Sequence, residues 1–171
     1  RLLMIAQQIA QNDAVLEQLS PVLAALQQKT RETVILGKRQ GNAITYLEVV
    51  EGQQTIRYAA SPGDTKPLHS SAIGKAALGA LPEAELARLV RKLPLAKVTD
   101  NTIETPEALI ADIAAGRERG HFITRGENVA EVMALSIGRS VGDELYGLAI
   151  AGPIARAGEG GRLGGSGRRG C

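Results

Sequence analysis

Two blocks of short, apolar, partly β-branched segments, residues 33–59 and 121–151, flank a middle that reads as helix, and this order constrains the fold of the 171-residue chain more than anything else in it. In the first block, Thr33 to Lys38, Ala43 to Glu51 and Thr55 to Ala59 are separated by the turns Arg39-Gln40-Gly41-Asn42 and Glu51-Gly52-Gln53. In the second, His121 to Arg125, Val132 to Arg139 and Leu145 to Ala151 follow one another, the last two joined by Ser140-Val141-Gly142-Asp143-Glu144. Strands linked by tight turns pair antiparallel, whereas a doubly wound parallel sheet needs a helix after nearly every strand. The chain is therefore predicted to be α+β, with a six-stranded, mostly antiparallel sheet flanked by helices.

The middle supplies those helices. A small-residue helix runs from Ser71 to Ala80, and Pro82-Glu83-Ala84-Glu85 opens another that reaches Lys92, with acidic residues in its first turn and basic ones in its last. Thr105 caps a third, with Pro106 at its first position and its end at Arg119 before Gly120. At the front, residues 1–11 already read as helix, and Asn12 or Asp13 is placed to cap a new one carrying Leu16, Leu19, Leu23 and Leu26 on one stripe. Pro21 either kinks that helix or restarts it with Ser20 as the cap. The stripe packs on its own domain or forms a seam to a second copy or a neighbouring domain.

Composition narrows the function. At 44% hydrophobic residues the chain can bury one sizeable core, but one Phe, three Tyr and no Trp make base-stacking platforms improbable. The formal charge of +2 arises in the last 18 residues, where four arginines face Glu159 alone; the remainder carries 16 basic and 17 acidic residues. That body has no excess of cations with which to neutralise DNA phosphates. A single cysteine, Cys171, excludes an internal disulfide and a cysteine metal cluster, and no cofactor is expected. No apolar run approaches the roughly 18 residues of a membrane span, so a soluble, cytoplasmic protein is expected.

Chemistry concentrates at Pro67-Leu68-His69-Ser70-Ser71-Ala72-Ile73-Gly74-Lys75, where a loop enters a helix through two hydroxyl residues. Such a junction offers unpaired backbone N–H groups and the positive end of a helix dipole to a small anionic or polar ligand. The same residues also fit an ordinary N-cap with small residues packed on a sheet. His69 reads as a hydrogen bonder fixing the loop and Lys75 as a solvated helix residue. A hydrolase built on His69 and the adjacent serines is the rival, yet neither serine has the flanking glycines of a nucleophile elbow.

Several short motifs, weak singly, occur in one order: Arg31-Glu32-Thr33-Val34, Gly41, Tyr46-Leu47, Ile56-Arg57, Pro67-Leu68-His69 with Gly74-Lys75-Ala76, Gly120, Glu127, and Gly152-Pro153. In this arrangement residues 13–156 resemble the effector-binding domain of the IclR family of bacterial transcriptional regulators. The resemblance implies a GAF-like domain, a winged helix–turn–helix DNA-binding domain preceding residue 1, residues 1–12 as the linker helix between them, and assembly into a homodimer or homotetramer. DNA is then a partner only through that preceding domain.

The resemblance also implies where an effector sits. The family's polar floor comes from the junction amides, a carboxylate on the fourth strand, one residue on the fifth and two on the sixth, matched here by Ala72 and Ile73, Thr124, Ala134, and Ala149 with Ala151. Alanine in place of a polar group leaves a polar ligand atom unsatisfied at roughly 1–3 kcal/mol each, which favours a more apolar guest. A carboxylate on an apolar or aromatic body is expected, its anion at Ser70, Ser71, Ala72 and Ile73. Arg125 is a candidate partner for that anion, and Ser136 shares a strand face with Ala134 and so is a candidate lining residue; Met133 and Leu135 lie on the other face. A structural dimerisation module without ligand is the alternative. Residues 157–171, a Gly/Arg-rich tail, are expected to be disordered.

Overall fold

The computed structural model describes residues 1–157. In chain order its elements are α1 (Leu2–Thr30), β1 (Thr33–Gln40), β2 (Ala43–Val50), β3 (Thr65–Pro67), α2 (Ala72–Gly79), α3 (Glu83–Val90), α4 (Pro106–Arg119), β4 (Phe122–Arg125), β5 (Val132–Val141), β6 (Glu144–Pro153) and α5 (Ile154–Ala157). The strands form one antiparallel sheet in the order β3-β2-β1-β6-β5-β4, so the α+β, six-stranded reading holds. The Gly/Arg-rich stretch read as a disordered tail lies, from residue 158 on, outside the described residues.

Period-two alternation gives the sheet two apolar faces. Val34 and Leu36 of β1 and Leu148 and Ile150 of β6 point to one side, where they pack with Leu16, Leu19, Leu23 and Leu26 of α1. The leucine stripe therefore rests on its own domain. On the other side, Ile35, Ile44, Ala149 and Ala151 join residues of α2, α3 and α4, including Ile73, Leu86 and Leu109, in the main core.

Two expectations about local structure are overturned. Helix α1 neither breaks at Asn12–Asp13 nor restarts at Pro21; it runs through both, with Pro21 inside it. Pro21 removes one backbone donor, but continuous packing of the stripe on the sheet holds the helix across that gap. Asn12 turns its side chain to the sheet, and Ser20 donates to Leu16 O at 2.7 Å instead of capping.

The second correction concerns the third strand, which is Thr65–Pro67 and not Thr55 to Ala59. The backbone of the earlier segment is satisfied without a ladder: Tyr58 O accepts from Thr33 Oγ1 at 2.6 Å and Ile56 O from the Arg156 guanidinium at 2.7 Å. Beside β2, Tyr46 N donates to Asp64 O at 2.9 Å and Gly63 N to Tyr46 O at 2.8 Å, which leads Thr65 to Pro67 into the edge position. The helix ends follow their caps: Ser71 Oγ accepts from Gly74 N, Thr105 Oγ1 accepts from Ala108 N, and Gly120 closes α4 at φ 80°.

A strip without side chains sets the depth of α2. Gly37, Gly147 and Gly138 are neighbours across β1, β6 and β5. A methyl group on Gly147 would come within 2.7 Å of Ile73 Cγ2, and one on Gly138 within 2.5 Å of Ala76 O. Helix α2 thus lies almost on the sheet backbone, and its first turn is driven down beside Ala149 and Ala151.

Candidate functional site

Where α2 begins, the inner face of the sheet leaves a cavity. Its free volume is about 420 Å³ counting the open mouth. The roof is Ser70, Ser71, Ala72 and Ile73; the floor is Ile35 of β1, Thr124 of β4, Ala134 of β5, and Ala149 with Ala151 of β6. Tyr46 of β2 and Tyr58 form one wall, and Asn128, Val129 and Val132 form the other.

Eight of the ten residues expected to bind ligand therefore meet in one place. The other two do not. Arg125 is exposed, and its guanidinium reaches Met133 Sδ at 3.6 Å on the outer face, because Thr124 takes the inward position of β4 and alternation turns its neighbour away. Ser136 faces inward with Ala134 but lies deeper, 1% exposed and opposite Ala149, away from the cavity lining. Met133 and Leu135 lie along a separate groove with Ile150 and Pro153.

The two ends of the cavity differ in chemistry. At the roof, Ser71 Oγ takes the Gly74 amide and Ser71 O takes the Lys75 amide, which leaves the Ala72 and Ile73 N–H groups as the free donors of the first turn. Ser70 is completely buried and its Oγ accepts from Asn128 Nδ2 at 3.0 Å. Thr124, 5% exposed, adds a hydroxyl from the floor. Burial, with Tyr58 beside it, pushes the Tyr46 phenol far above its ordinary range, so it remains a neutral hydrogen-bonding group. The opposite end is aliphatic apart from that hydroxyl, since Thr124 pairs with Ala134 and Ala134 with Ala151. Among the described residues, no charged side chain lines the cavity.

Just outside that lining stands a cluster the sequence does not announce. Lys75, expected to be solvated, is 0% exposed, with Nζ 2.7 Å from Asp112 Oδ2 of α4 and 2.5 Å from Glu127 Oε2 of the β4–β5 loop. The lysine is buried because α2 lies almost on the sheet backbone at Gly138 and Gly147, with its flank against α4. Desolvation pushes the Glu127 carboxyl above its usual range, and the Lys75 charge opposes that shift.

His69 behaves as expected: its Nε2 lies 2.9 Å from Ala96 O, which ties the junction to the loop before α4 and engages that nitrogen away from the serines. Tyr46, Tyr58, Asn128 and Val129 were not anticipated as lining. Tyr46 was within reach, since it shares a strand face with the inward Ile44. Tyr58 was hidden by its assignment to a strand, and the Asn128 position depends on how a loop folds back.

The comparisons with known proteins agree with this fold. Residues 7–163 match the family model for the bacterial transcriptional regulator IclR C-terminal domain. The HTH-type transcriptional regulator BhcR of Paracoccus denitrificans is 33% identical over 83% of this chain and 52% of its own length. Among solved structures, the IclR protein of Thermotoga maritima superposes with a TM-score of 0.76 at 28% identity, covering 87% of this chain and 64% of that one. An IclR homologue of Microbacterium hydrocarbonoxydans, solved in complex with 4-hydroxybenzoate, shares the fold with a TM-score of 0.73 at 24% identity, over 84% of this chain and 60% of that one. The chain spans about half the length of the curated relatives it matches. With its sheet, its junction helix and that match over most of its length, the chain belongs to the IclR family of bacterial transcriptional regulators, a family of regulators and not of enzymes.

Proposed function

We propose that this effector-binding domain senses a small carboxylate with an apolar or aromatic body, seated between the start of α2 and the alanines of β5 and β6. The observation that carries the reading is the division of one cavity into a donor end, at Ser70, Ser71, Ala72 and Ile73, and an aliphatic end, at Ala134, Ala149 and Ala151. An anion gains from the two free amides and the helix dipole, and the carbon frame gains from leaving water. Arg125 is turned away, so the anion is held by neutral donors. The 4-hydroxybenzoate bound by the Microbacterium relative, an aromatic acid, is of this class and supports the assignment.

In the full-length regulator the guest acts by allostery. The α1 helix joins this domain to a winged helix–turn–helix domain before it, residues 1–12 serving as linker, and two or four copies assemble in the cytoplasm. Leu2, Leu3, Met4, Ile5 and Ile9, each more than half exposed on α1, provide an apolar seam for a second copy. Among the described residues no helix is long and apolar enough to cross a membrane. Ligand that favours one position of α2 shifts the balance between two arrangements of the DNA-binding domains.

Thermal unfolding with a panel of aromatic and aliphatic acids, 4-hydroxybenzoate first, tests the sensor. A ligand at 100 times its dissociation constant stabilises by about 2.7 kcal/mol, and Ala149→Phe, which fills the aliphatic end at an overpacking cost of about 1–3 kcal/mol, abolishes that response. A flat response across the panel supports the alternative of a structural dimerisation module without ligand.

A further inference from the structure

The enclosed part of the cavity is small, so a guest the size of an aromatic acid extends into the open mouth or displaces part of a wall. The floor is sheet and the roof is a capped helix. Of the two walls, Tyr58 is tied to β1 through Thr33 Oγ1, which donates to Tyr58 O at 2.6 Å, and the other is the loop between β4 and β5, residues 126–131. Its base is held by hydroxyl groups: Thr99 Oγ1 donates to Gly126 O at 2.5 Å and Thr102 Oγ1 to Glu127 O at 2.8 Å. Its tip is not. Val129 is 39% exposed, and the polar side-chain contact from tip to roof is Asn128 Nδ2 on Ser70 Oγ.

Between base and tip sits Glu127, whose side chain is 12% exposed and meets the completely buried Lys75. Burying this pair is costly, and a hydrophobic pair of similar volume commonly serves stability as well or better. A charge pair gives direction instead: a carboxylate that loses its cation in a dry site is driven toward water, and the loop carrying it goes with it. Lys75 belongs to α2, the cavity roof, and also holds Asp112 of α4, so loop, roof and α4 share one cation.

We propose that the loop Gly126–Glu131 is the lid of the effector cavity, held down by Lys75 through Glu127 and latched by Asn128 on Ser70. Lys75 and Glu127 are positioning residues, and Asn128 is the one that exchanges its acceptor. When the latch opens, Ser70 and the Asn128 amide both face the cavity beside the free Ala72 and Ile73 amides. A guest acceptor group placed there takes the Asn128 donor that Ser70 gives up, and the lid closes over it. The idea rests on the effector reading only for what the lid covers; its motion is a property of the empty chain.

Amide hydrogen exchange on the chain without ligand provides the test. In Asn128→Ala, amides of residues 128–131 exchange about fivefold faster, the consequence of losing one neutral hydrogen bond, while α2 and β6 keep their rates. In Lys75→Met, the whole loop and the first turn of α2 accelerate beyond that, and adding Glu127→Gln returns them toward wild type because no charge is left stranded. Unchanged loop exchange in Asn128→Ala overturns the latch, even if Lys75→Met does not fold. Acceleration spread equally over β1 and β6 overturns the lid, as does a double variant no slower than Lys75→Met. A lid that behaves as stated while every acid in the panel fails to bind rejects the effector assignment alone.

Discussion

Lys38 and Lys75 are two lysines buried to 3% and 0% exposure on opposite sides of one sheet, and their surroundings divide the labour of the domain. Lys38, on β1, lies under α1: its Nζ is 3.2 Å from Glu144 Oε1 and from Asn12 Oδ1, and 5.6 Å from the centre of the Tyr146 ring, whose hydroxyl donates to the same Asn12 oxygen at 2.8 Å. Its carboxylate partner stands at the rim, 24% exposed, where water screens it. Lys75 is enclosed between two carboxylates, and one of them is only 12% exposed. The first lysine fixes where a long helix crosses the sheet; the second ties α4 to two parts that border a cavity, α2 and the β4–β5 loop. Burial of a cation is thus used on one side for alignment and on the other for coupling.

The largest effect that bears on this contrast is expected from Lys75→Met, which leaves Glu127 without its cation: a loss of about 3 kcal/mol, or about 6–12 °C in Tm by calorimetry, with Asp112 adding little because it is a third exposed. Restoration of most of that loss by the additional Glu127→Gln change sharpens the coupling picture; a loss that stays in the double variant breaks it. Lys38→Met is expected to cost less, about 1 kcal/mol in denaturant unfolding, since Glu144 can turn to water and a methionine fills the same slot under α1. Equal losses at the two lysines erase the distinction.

The smallest effect concerns pH. Because the folded state raises the Glu127 pKa, it holds that proton more firmly than the unfolded chain does. The stability contributed by this group is therefore complete below the ordinary carboxylate range and is lost as pH rises through the raised value. Glu127→Gln and the unchanged protein should melt alike in acid, and the variant should gain relative to it toward neutral pH. The opposite trend would mean that Lys75 outweighs desolvation at this site.

Periodicity carried much of this architecture in the sequence. The leucines of α1, the alternation of β5 and β6, and the caps Thr105 and Gly120 all depend on neighbours a few residues apart, and these were legible. The third strand was not: Thr55 to Ala59 has strand composition, but its backbone partners are Thr33 and Arg156, from distant parts of the chain. The roof and floor of the cavity followed from the resemblance at Ser70 to Ile73 and from strand faces. Asn128 and the burial of Lys75 escaped, since both depend on how closely α2 approaches the sheet and on which loop then covers it. An isolated lysine in a small-residue helix carries no sign of two carboxylates that lie 37 and 52 positions further along.

The three adjacent glycines beneath α2 act as a spacer of zero thickness. Adding one methyl group to Gly147 pushes Ile73, and with it the roof, away from the floor, so the height available to a guest is governed by atoms that never touch it.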